Sequence, residues 1–252
     1  MKYTLRKKPY LLGFIVGILI SSVFNHSIYY AADNKLLPIY CVNTNGEKLV
    51  ALTFDAAWGA DDTDQLIAIL DKYNVKATFF IVGDWVRKYP DAVKKFAAAG
   101  HDIANHSDKH PHVNNMSKEA IKKDIMAAHQ IIKEVVGKET NLYRPPYGEY
   151  NNTVIEAAKE CNYHVIQWDV DSLDWKEYGL SPLIDKVLNH KNLRPGSIIL
   201  LHNDSKYTAQ ALEPIIKGIL EKGYKIVPIS KLVITDQPYK LDFEGRQHKI
   251  TP

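Results

Sequence analysis

The stretch that decides the fold of this chain begins with a buried strand and reads Leu49-Val50-Ala51-Leu52-Thr53-Phe54-Asp55-Ala56-Ala57-Trp58-Gly59. Its first six residues are apolar or β-branched without interruption. Such a run is typical of a strand that is buried on both faces of a parallel sheet. Asp55 follows at the predicted carboxyl end, which is the end of a barrel strand where active sites are built.

Short apolar runs and helical patterns alternate along the rest of the chain. The segment 62–73 carries leucine and isoleucine at helical spacing, and 77–82 is the next predicted strand. A long helix is expected over 117–136, with Gly137 ending it. Seven or eight such units fit into about 185 residues, 48–232. This alternation predicts a parallel sheet, and the number of units favours an α/β barrel over an open sheet.

The chemically capable side chains follow the predicted strands. They are Asp55, His106, Arg144, Asp171 and His202. Because barrel active sites are assembled from the loops after the strands, we expect these residues to share one cavity.

The composition is that of an ordinary globular domain. Hydrophobic residues make up 46% of the chain and charged residues 24%. The length suggests one large domain or two small ones. The formal net charge is +3, and part of the basic excess lies at the N-terminus, in Lys2, Arg6, Lys7 and Lys8. The remainder has neither a basic stripe nor a glycine-rich phosphate loop, so the sequence gives no support to nucleic-acid binding.

Residues 1–32 have the pattern of a targeting segment, in which basic residues precede an uncharged stretch. Its most apolar part, 11–24, has about 14 residues, which suits a signal peptide better than a full span of about 20. Residues 28–32 extend it, and no good cleavage site follows. We therefore expect a signal anchor rather than a cleaved signal peptide. The domain would lie on the extracytoplasmic side of the cell membrane, or be secreted if the segment is cleaved.

Residues 33–47 are interpreted as a stalk, and 233–252 as a polar C-terminal extension of the domain at 48–232. Two cysteines are present, Cys41 in the expected stalk and Cys161 after a predicted helix. They could pair, but we expect Cys161 to be unpaired and buried.

His106 and His110 are four residues apart, and Pro111 follows. Two imidazoles at this spacing can converge on one ion from a helical turn or a tight loop. The spacing alone is a weak signal, because histidines in this pattern also serve as surface or capping residues.

Five segments, in this order along the chain, resemble the motifs of the polysaccharide deacetylases with the NodB homology domain, carbohydrate esterase family 4. They are Thr53 to Gly59, His106-Ser107-Asp108-Lys109-His110-Pro111, Arg144-Pro145-Pro146-Tyr147-Gly148, Asp171-Ser172-Leu173-Asp174-Trp175 and Leu200-Leu201-His202. The resemblance covers 48–232 and is greatest to the sporulation-associated PdaB branch. It implies a distorted (β/α)7 barrel.

The resemblance also implies an acid–base pair for the hydrolysis of an N-acetyl group. Asp55 matches the family's general base, and Arg144 matches the residue that keeps this base ionised and oriented. His202 matches the general acid that protonates the leaving amine, and Asp174 the carboxylate that orients the imidazole. We expect the two pairs on opposite walls of one cleft.

The same resemblance assigns a metal site and a substrate pocket. His106 and His110 match two ligands of a divalent metal, and zinc is the expected ion. The backbone N–H of Tyr147 matches the family's oxyanion donor, while Trp175 and Leu200 match the pocket for the acetyl methyl group. Further aromatic candidates for contact with sugar rings are Trp58, Trp85 and Tyr150.

Ala56 is a departure from the family, which places a second Asp there as the third metal ligand. Two replacements are conceivable. Asp61 or Asp62 could turn towards the metal, although either could simply cap the following helix. Alternatively, Asp55 could ligate the metal, which would remove it from acid–base work.

Two functions therefore follow from the sequence. The first is an exported, membrane-anchored monomeric hydrolase that removes N-acetyl groups from peptidoglycan or a related amino-sugar polymer. The second is a glycan-binding or sporulation-structural protein that keeps the cleft without efficient catalysis. Ala56 favours the second function, whereas the complete acid–base set favours the first.

Overall fold

A parallel sheet organises the part of the chain that the computed structural model describes, residues 35–250. In chain order the strands are β1 (Cys41–Val42), β2 (Leu49–Ala56), β3 (Thr78–Ile81), β4 (Asp102–Asn105), β5 (Leu142–Tyr143), β6 (His164–Val165), β7 (Val170–Asp171), β8 (Ile198–His202), β9 (Lys225–Ile226), β10 (Tyr239–Leu241) and β11 (Arg246–Lys249). Seven of them follow one another in the order β6-β5-β4-β3-β2-β8-β7, and β9 pairs with β2. Each of these pairs is parallel.

Helices connect the strands. They are α1 (Thr63–Lys72), α2 (Gly83–Lys88), α3 (Pro90–Ala98), α4 (Lys118–Val136), α5 (Asn152–Glu160), α6 (Leu180–Leu188), α7 (Thr208–Glu221) and α8 (Ile229–Leu232). As predicted, the longest helix follows Ser117, whose hydroxyl accepts a hydrogen bond from the N–H of Ala120, and ends at Gly137 with a φ of +72°. The sequence patterns missed α2 and α8, which are too short to show a helical period.

The predicted distorted seven-stranded α/β barrel is confirmed. The barrel is incomplete, because β6 and β7 are not paired with each other within residues 35–250. Ile39 lies beside β6 instead: its N–H donates to the carbonyl of Val165 (2.8 Å), and its carbonyl accepts from the N–H of Gln167 (2.7 Å).

Strand β2 shows how the barrel separates its two faces. Every residue of this strand after Leu49 is buried. Phe54 and Ala56 belong to the apolar cluster that α1 and α7 share with the sheet. Asp55 points the other way, into the barrel interior, where it meets Arg144. The alternation of side chains along a strand thus sends the carboxylate to the cavity and its neighbour to the core.

The expected stalk at 33–47 is wrong from Leu37 onward, because the compact unit begins there. Cys41 and Val42 are almost fully buried. They form β1, which pairs in parallel with β11, and β11 pairs in antiparallel fashion with β10. The expected C-terminal extension therefore supplies two strands of a three-stranded sheet. Short segments of this kind were missed since each carries only two to four strand residues.

Both cysteines are free, and Cys41 is buried; the expectation that Cys161 is buried is wrong, because this side chain is only partly buried. No helix within residues 35–250 is long and apolar enough to cross a membrane. The predicted anchor at 1–32 lies outside the described residues.

Candidate active site

A cavity of about 710 Å³ opens where the barrel strands reach their carboxyl ends. It collects seven of the nine predicted site residues, Asp55, His106, His110, Tyr147, Trp175, Leu200 and His202. The other two, Arg144 and Asp174, are buried behind the lining and hydrogen-bonded to Asp55 and His202 respectively. The strand ends therefore bring together residues that are up to about 150 positions apart in the sequence.

Asp55 and Arg144 form a buried ion pair. Nη1 of Arg144 donates to Oδ1 of Asp55 at 2.7 Å and to the hydroxyl of Thr53 at 3.0 Å, and Nη2 donates to the carbonyl of Gln167 at 3.1 Å. Burial alone would raise the pKa of Asp55, but the charge and hydrogen bond of Arg144, together with the charges of His106 and His202, outweigh burial and hold this pKa below its ordinary value. The carboxylate is thus ionised and fixed in place, as a general base must be.

His202 and Asp174 form the second predicted pair. Nδ1 of His202 lies 2.7 Å from Oδ1 of Asp174, whose Oδ2 accepts from the backbone N–H of His202 and from the hydroxyl of Thr208, each at 2.7 Å. Burial on its own lowers the pKa of His202, but the hydrogen bond and the charge of Asp174 raise it above its ordinary value. Because Nδ1 carries the proton shared with Asp174, Nε2 is the nitrogen left for the cavity.

The expectation of opposite walls is wrong. Asp55 and His202 are direct neighbours in the register of β2 and β8. The base and the acid of the predicted mechanism therefore stand side by side on adjacent strands, and both face the cavity.

His106 and His110 lie together on the cavity wall, with ring centroids 5.0 Å apart. Nδ1 of His106 lies 2.7 Å from the carbonyl of Arg144, so this nitrogen carries the proton and Nε2 keeps its lone pair. Burial lowers the pKa of both rings, that of His110 to about 4. Two neutral imidazoles are therefore available as metal ligands at neutral pH.

The third ligand is missing from this donor set. Ala56 is fully buried and packs in the apolar cluster, and its carbonyl accepts from the N–H of Val82 at 3.1 Å. Across residues 35–250 no group of three or more His, Cys, Asp or Glu side chains is placed to hold a metal ion. A catalytic zinc site normally has three protein ligands. The residues fit a divalent ion in donor type but not in number.

Asp62 neither caps α1 nor supplies the missing metal ligand. It occupies the N-cap position without a side-chain capping bond, and its Oδ2 accepts from the backbone N–H of Asp204 at 2.7 Å. Its neighbour Asp61 is exposed, and neither residue lines the cavity. Burial, followed by the nearby charge of Asp204, raises the pKa of Asp62 to about 6 despite the hydrogen bonds.

This raised pKa predicts a stability change that depends on pH. The folded pKa of Asp62 exceeds its ordinary value of 3.8, so the stability it contributes is full below pH 4 and is lost as the pH rises through about 6. Asp62→Asn keeps an acceptor for Asp204 without a charge. We expect this variant to have a higher Tm than the wild type at pH 7.5 and an advantage that shrinks towards pH 4. Asp61→Asn is the matched exposed control. An equal Tm difference at every pH would contradict the assignment.

The three predicted pocket residues differ in their exposure. Leu200 is buried in β8, whereas Tyr147 and Trp175 are 57% and 49% exposed. Tyr147 has a φ of +59°, and its ring stacks on His112 and meets His110 edge-on. A positive φ in a bulky residue marks a backbone held in a special conformation. This conformation agrees with the role that the resemblance implies for the Tyr147 N–H, which is to donate to the oxyanion.

The aromatic candidates separate into three cases. Trp58 lines the cavity and stacks on His202. Trp85 is almost fully buried, so its role is in the core, and Tyr150 does not line the cavity.

Sequence reasoning missed Trp168, which lies between the cavity and Arg144. It also missed the ion pair of Asp84 and Lys109 at the rim, for which the only signal was the place of Lys109 inside the second motif.

Fold and cavity together define an α/β barrel protein whose cleft holds an ion-paired carboxylate, a carboxylate-bound imidazole and two further histidines. The chain belongs to the polysaccharide deacetylase family: residues 42–166 match the family model described as Polysaccharide deacetylase. The peptidoglycan-N-acetylglucosamine deacetylase of Bacillus cereus is 36% identical over 194 residues, which cover 75% of this chain and 90% of that protein.

Two further relatives are informative. The uncharacterized protein YlxY of Bacillus subtilis is 34% identical over 196 residues, and the match covers 78% of this chain but only 60% of that protein. Among solved structures, the CE4 family pseudoenzyme BA3943 of Bacillus anthracis superposes with a TM-score of 0.75 at 31% identity, covering 79% of this chain and 69% of that one. A mutant of BA3943 with restored enzymatic activity gives the same TM-score at 32% identity, covering 79% of this chain and 72% of the other.

Proposed function

We propose that this protein removes N-acetyl groups from an amino-sugar polymer of the cell wall, at a rate limited by an incomplete metal site. The observation that carries the proposal is the pair of buried contacts, Arg144 to Asp55 and Asp174 to His202, at one cavity. A protein that only binds glycan has no use for a base and an acid whose pKa values are set in opposite directions. The similarity to a peptidoglycan deacetylase supports a cell-wall substrate.

The chain's own residues define the proton transfers. Asp55, ionised beside Arg144, takes a proton from the water that attacks the acetamide carbonyl. The resulting oxyanion is met by the N–H of Tyr147. Nε2 of His202 then gives its proton to the amine nitrogen as the C–N bond breaks, which yields acetate and a free amino sugar. Leu200 and Trp175 leave an apolar space for the methyl group. His106 and His110 would hold a divalent ion such as zinc only weakly.

A second candidate function is glycan binding without turnover. It is favoured by the fully buried methyl group of Ala56 at the position of a metal ligand, and by the structural similarity to a CE4 family pseudoenzyme. In that case the cavity and its exposed aromatic side chains, Tyr147 and Trp175, would bind sugar rings. The pairs of Asp55 with Arg144 and of His202 with Asp174 would then have no catalytic role.

We propose a single-pass protein of the cell membrane with its domain outside the cytoplasm, or a secreted domain if the N-terminal segment is cleaved. We expect the domain to act as a monomer. A role in sporulation rests on the resemblance to the PdaB branch.

The test is acetate release from N-acetylated glycan fragments by the full-length chain, with zinc added and with a chelator. We expect slow release that His202→Ala lowers by about 10²–10⁴-fold, the usual contribution of a general acid. Asp174→Asn should lower it as well, since the imidazole loses its orienting charge. Equal release by the wild type and His202→Ala would contradict deacetylation by this site. Retention of the glycan by a chain that releases no acetate would support the second candidate.

A further inference from the structure

The indole of Trp58 lies on one face of the His202 imidazole. The two ring centroids are 5.1 Å apart, and the ring planes differ by only 22°. Both side chains line the cavity, and Trp58 remains 49% exposed. An aromatic ring stacked on a catalytic imidazole is not required by the acid–base arrangement described above, so this contact needs its own explanation.

The turn that carries Trp58 is fastened to the loop after β8, the strand that ends in His202. The carbonyl of Gly59 accepts a hydrogen bond from Nε1 of Trp85 at 2.9 Å and another from Nδ2 of Asn203 at 2.7 Å. A Cβ at Gly59 would lie 1.7 Å from a carboxylate oxygen of Asp204, so a larger residue there would displace that side chain. The backbone beside Trp58 is therefore tied to the segment that follows His202.

We propose that Trp58 is a positioning residue that holds the His202 ring flat against its indole and stabilises the imidazolium form. The inference rests on the proposed function, in which His202 is the acid. A cation within about 6 Å of an indole centroid is attracted to the electron-rich face of the ring. With Nδ1 bound to Asp174 and one face covered by Trp58, the imidazole presents Nε2 to the cavity.

Other charged and titratable groups also act on His202. They are the carboxylates Asp55, Asp171 and Asp174 and the imidazoles His106 and His110. The carboxylates favour the imidazolium form, whereas a positive charge on either of the other imidazoles would disfavour it. All five groups are retained when Trp58 is replaced. A change in the pKa of His202 can therefore be assigned to the loss of the indole.

The test is the titration of His202 in the full-length chain by NMR of its Cε1 proton, with a chelator present and His202→Gln for assignment. Trp58→Leu keeps an apolar side chain over the ring but removes the π face. We expect the pKa of His202 to fall by about 0.5, the equivalent of an exposed cation–π contact. Trp58→Phe, the milder replacement, should give a smaller fall. Trp175→Leu is the control, because Trp175 has the same exposed fraction of 49% on the same cavity.

Fluorescence gives a second reading. A protonated imidazole in contact with an indole quenches the fluorescence of the indole. Tryptophan emission should therefore increase as the pH is raised through the pKa of His202. This rise should persist in Trp175→Leu and disappear in Trp58→Leu. An unchanged or higher pKa in Trp58→Leu, or a fluorescence rise that survives in this variant, would overturn the proposal. Neither measurement needs turnover, so failure of deacetylation would appear separately, as absent acetate release.

Discussion

We expect Arg144→Met to lower the free energy of unfolding by about 3–5 kcal/mol, the usual cost of breaking a buried ion pair by removing one partner. Arg144 is fully buried, and Asp55 is only 5% exposed. Methionine fills most of the space but leaves the carboxylate of Asp55 without its cation. The hydroxyl of Thr53 and the carbonyl of Gln167 also lose a donor. Urea unfolding of both proteins at neutral pH measures the difference.

Two controls separate the lost charge pair from a general effect of the substitution. Lys133→Met removes a cation from an exposed pair with Glu139, and such pairs contribute only about 0–1 kcal/mol. The double variant Asp55→Asn with Arg144→Met removes both charges, so it should be more stable than Arg144→Met alone. If the double variant is no more stable, the buried charge of Asp55 is not the source of the loss.

Helices and strands with long sequence patterns were predicted, whereas short ones were missed. The 19-residue helix α4 and its cap were predicted closely because an amphipathic pattern of five turns leaves little ambiguity. The six-residue helix α2 and the strands at both ends of the domain were not. Their formation depends on tertiary partners, such as the pairing of Cys41 with Arg246, that are distant in the sequence.

The candidate site could be predicted residue by residue because its members occur in motifs. Contacts between motifs, such as Arg144 with Asp55, followed from the resemblance and are confirmed. The adjacency of Asp55 and His202 did not follow, since the order of strands around the barrel is set by topology. The stack of Trp58 on His202 depends on the turn at Gly59, whose hydrogen bonds come from two other segments.

A carboxylate at position 56 would supply the third metal ligand. Ala56→Asp should raise the affinity for zinc by at least about 10-fold, since even the loss of a partner behind the ligands costs about 10–100-fold. Acetate release at limiting zinc should rise with it. The new carboxylate must turn from the apolar cluster towards His106 and His110 at the end of β2. We therefore expect the metal-free variant to be less stable than the wild type, and zinc to restore its stability.

Two further variants serve as controls for this effect. Ala57→Asp places the same charge one residue later, on the cavity lining, and should bring a smaller gain if position 56 has the required geometry. Ala56→Asn supplies a neutral side chain of the same shape and should bind zinc more weakly than Ala56→Asp. Equal zinc affinity in all three variants would show that added polarity, rather than a ligand at position 56, accounts for the gain.

We infer that the acid–base residues are complete while the metal ligands are one short. A zinc titration of the full-length wild type and Ala56→Asp, followed by calorimetry and by acetate release in the same samples, tests this inference. We predict weak binding and slow release for the wild type, and tighter binding with faster release for Ala56→Asp. Tight binding of one zinc ion by the wild type, with no gain in affinity or rate in Ala56→Asp, would contradict it.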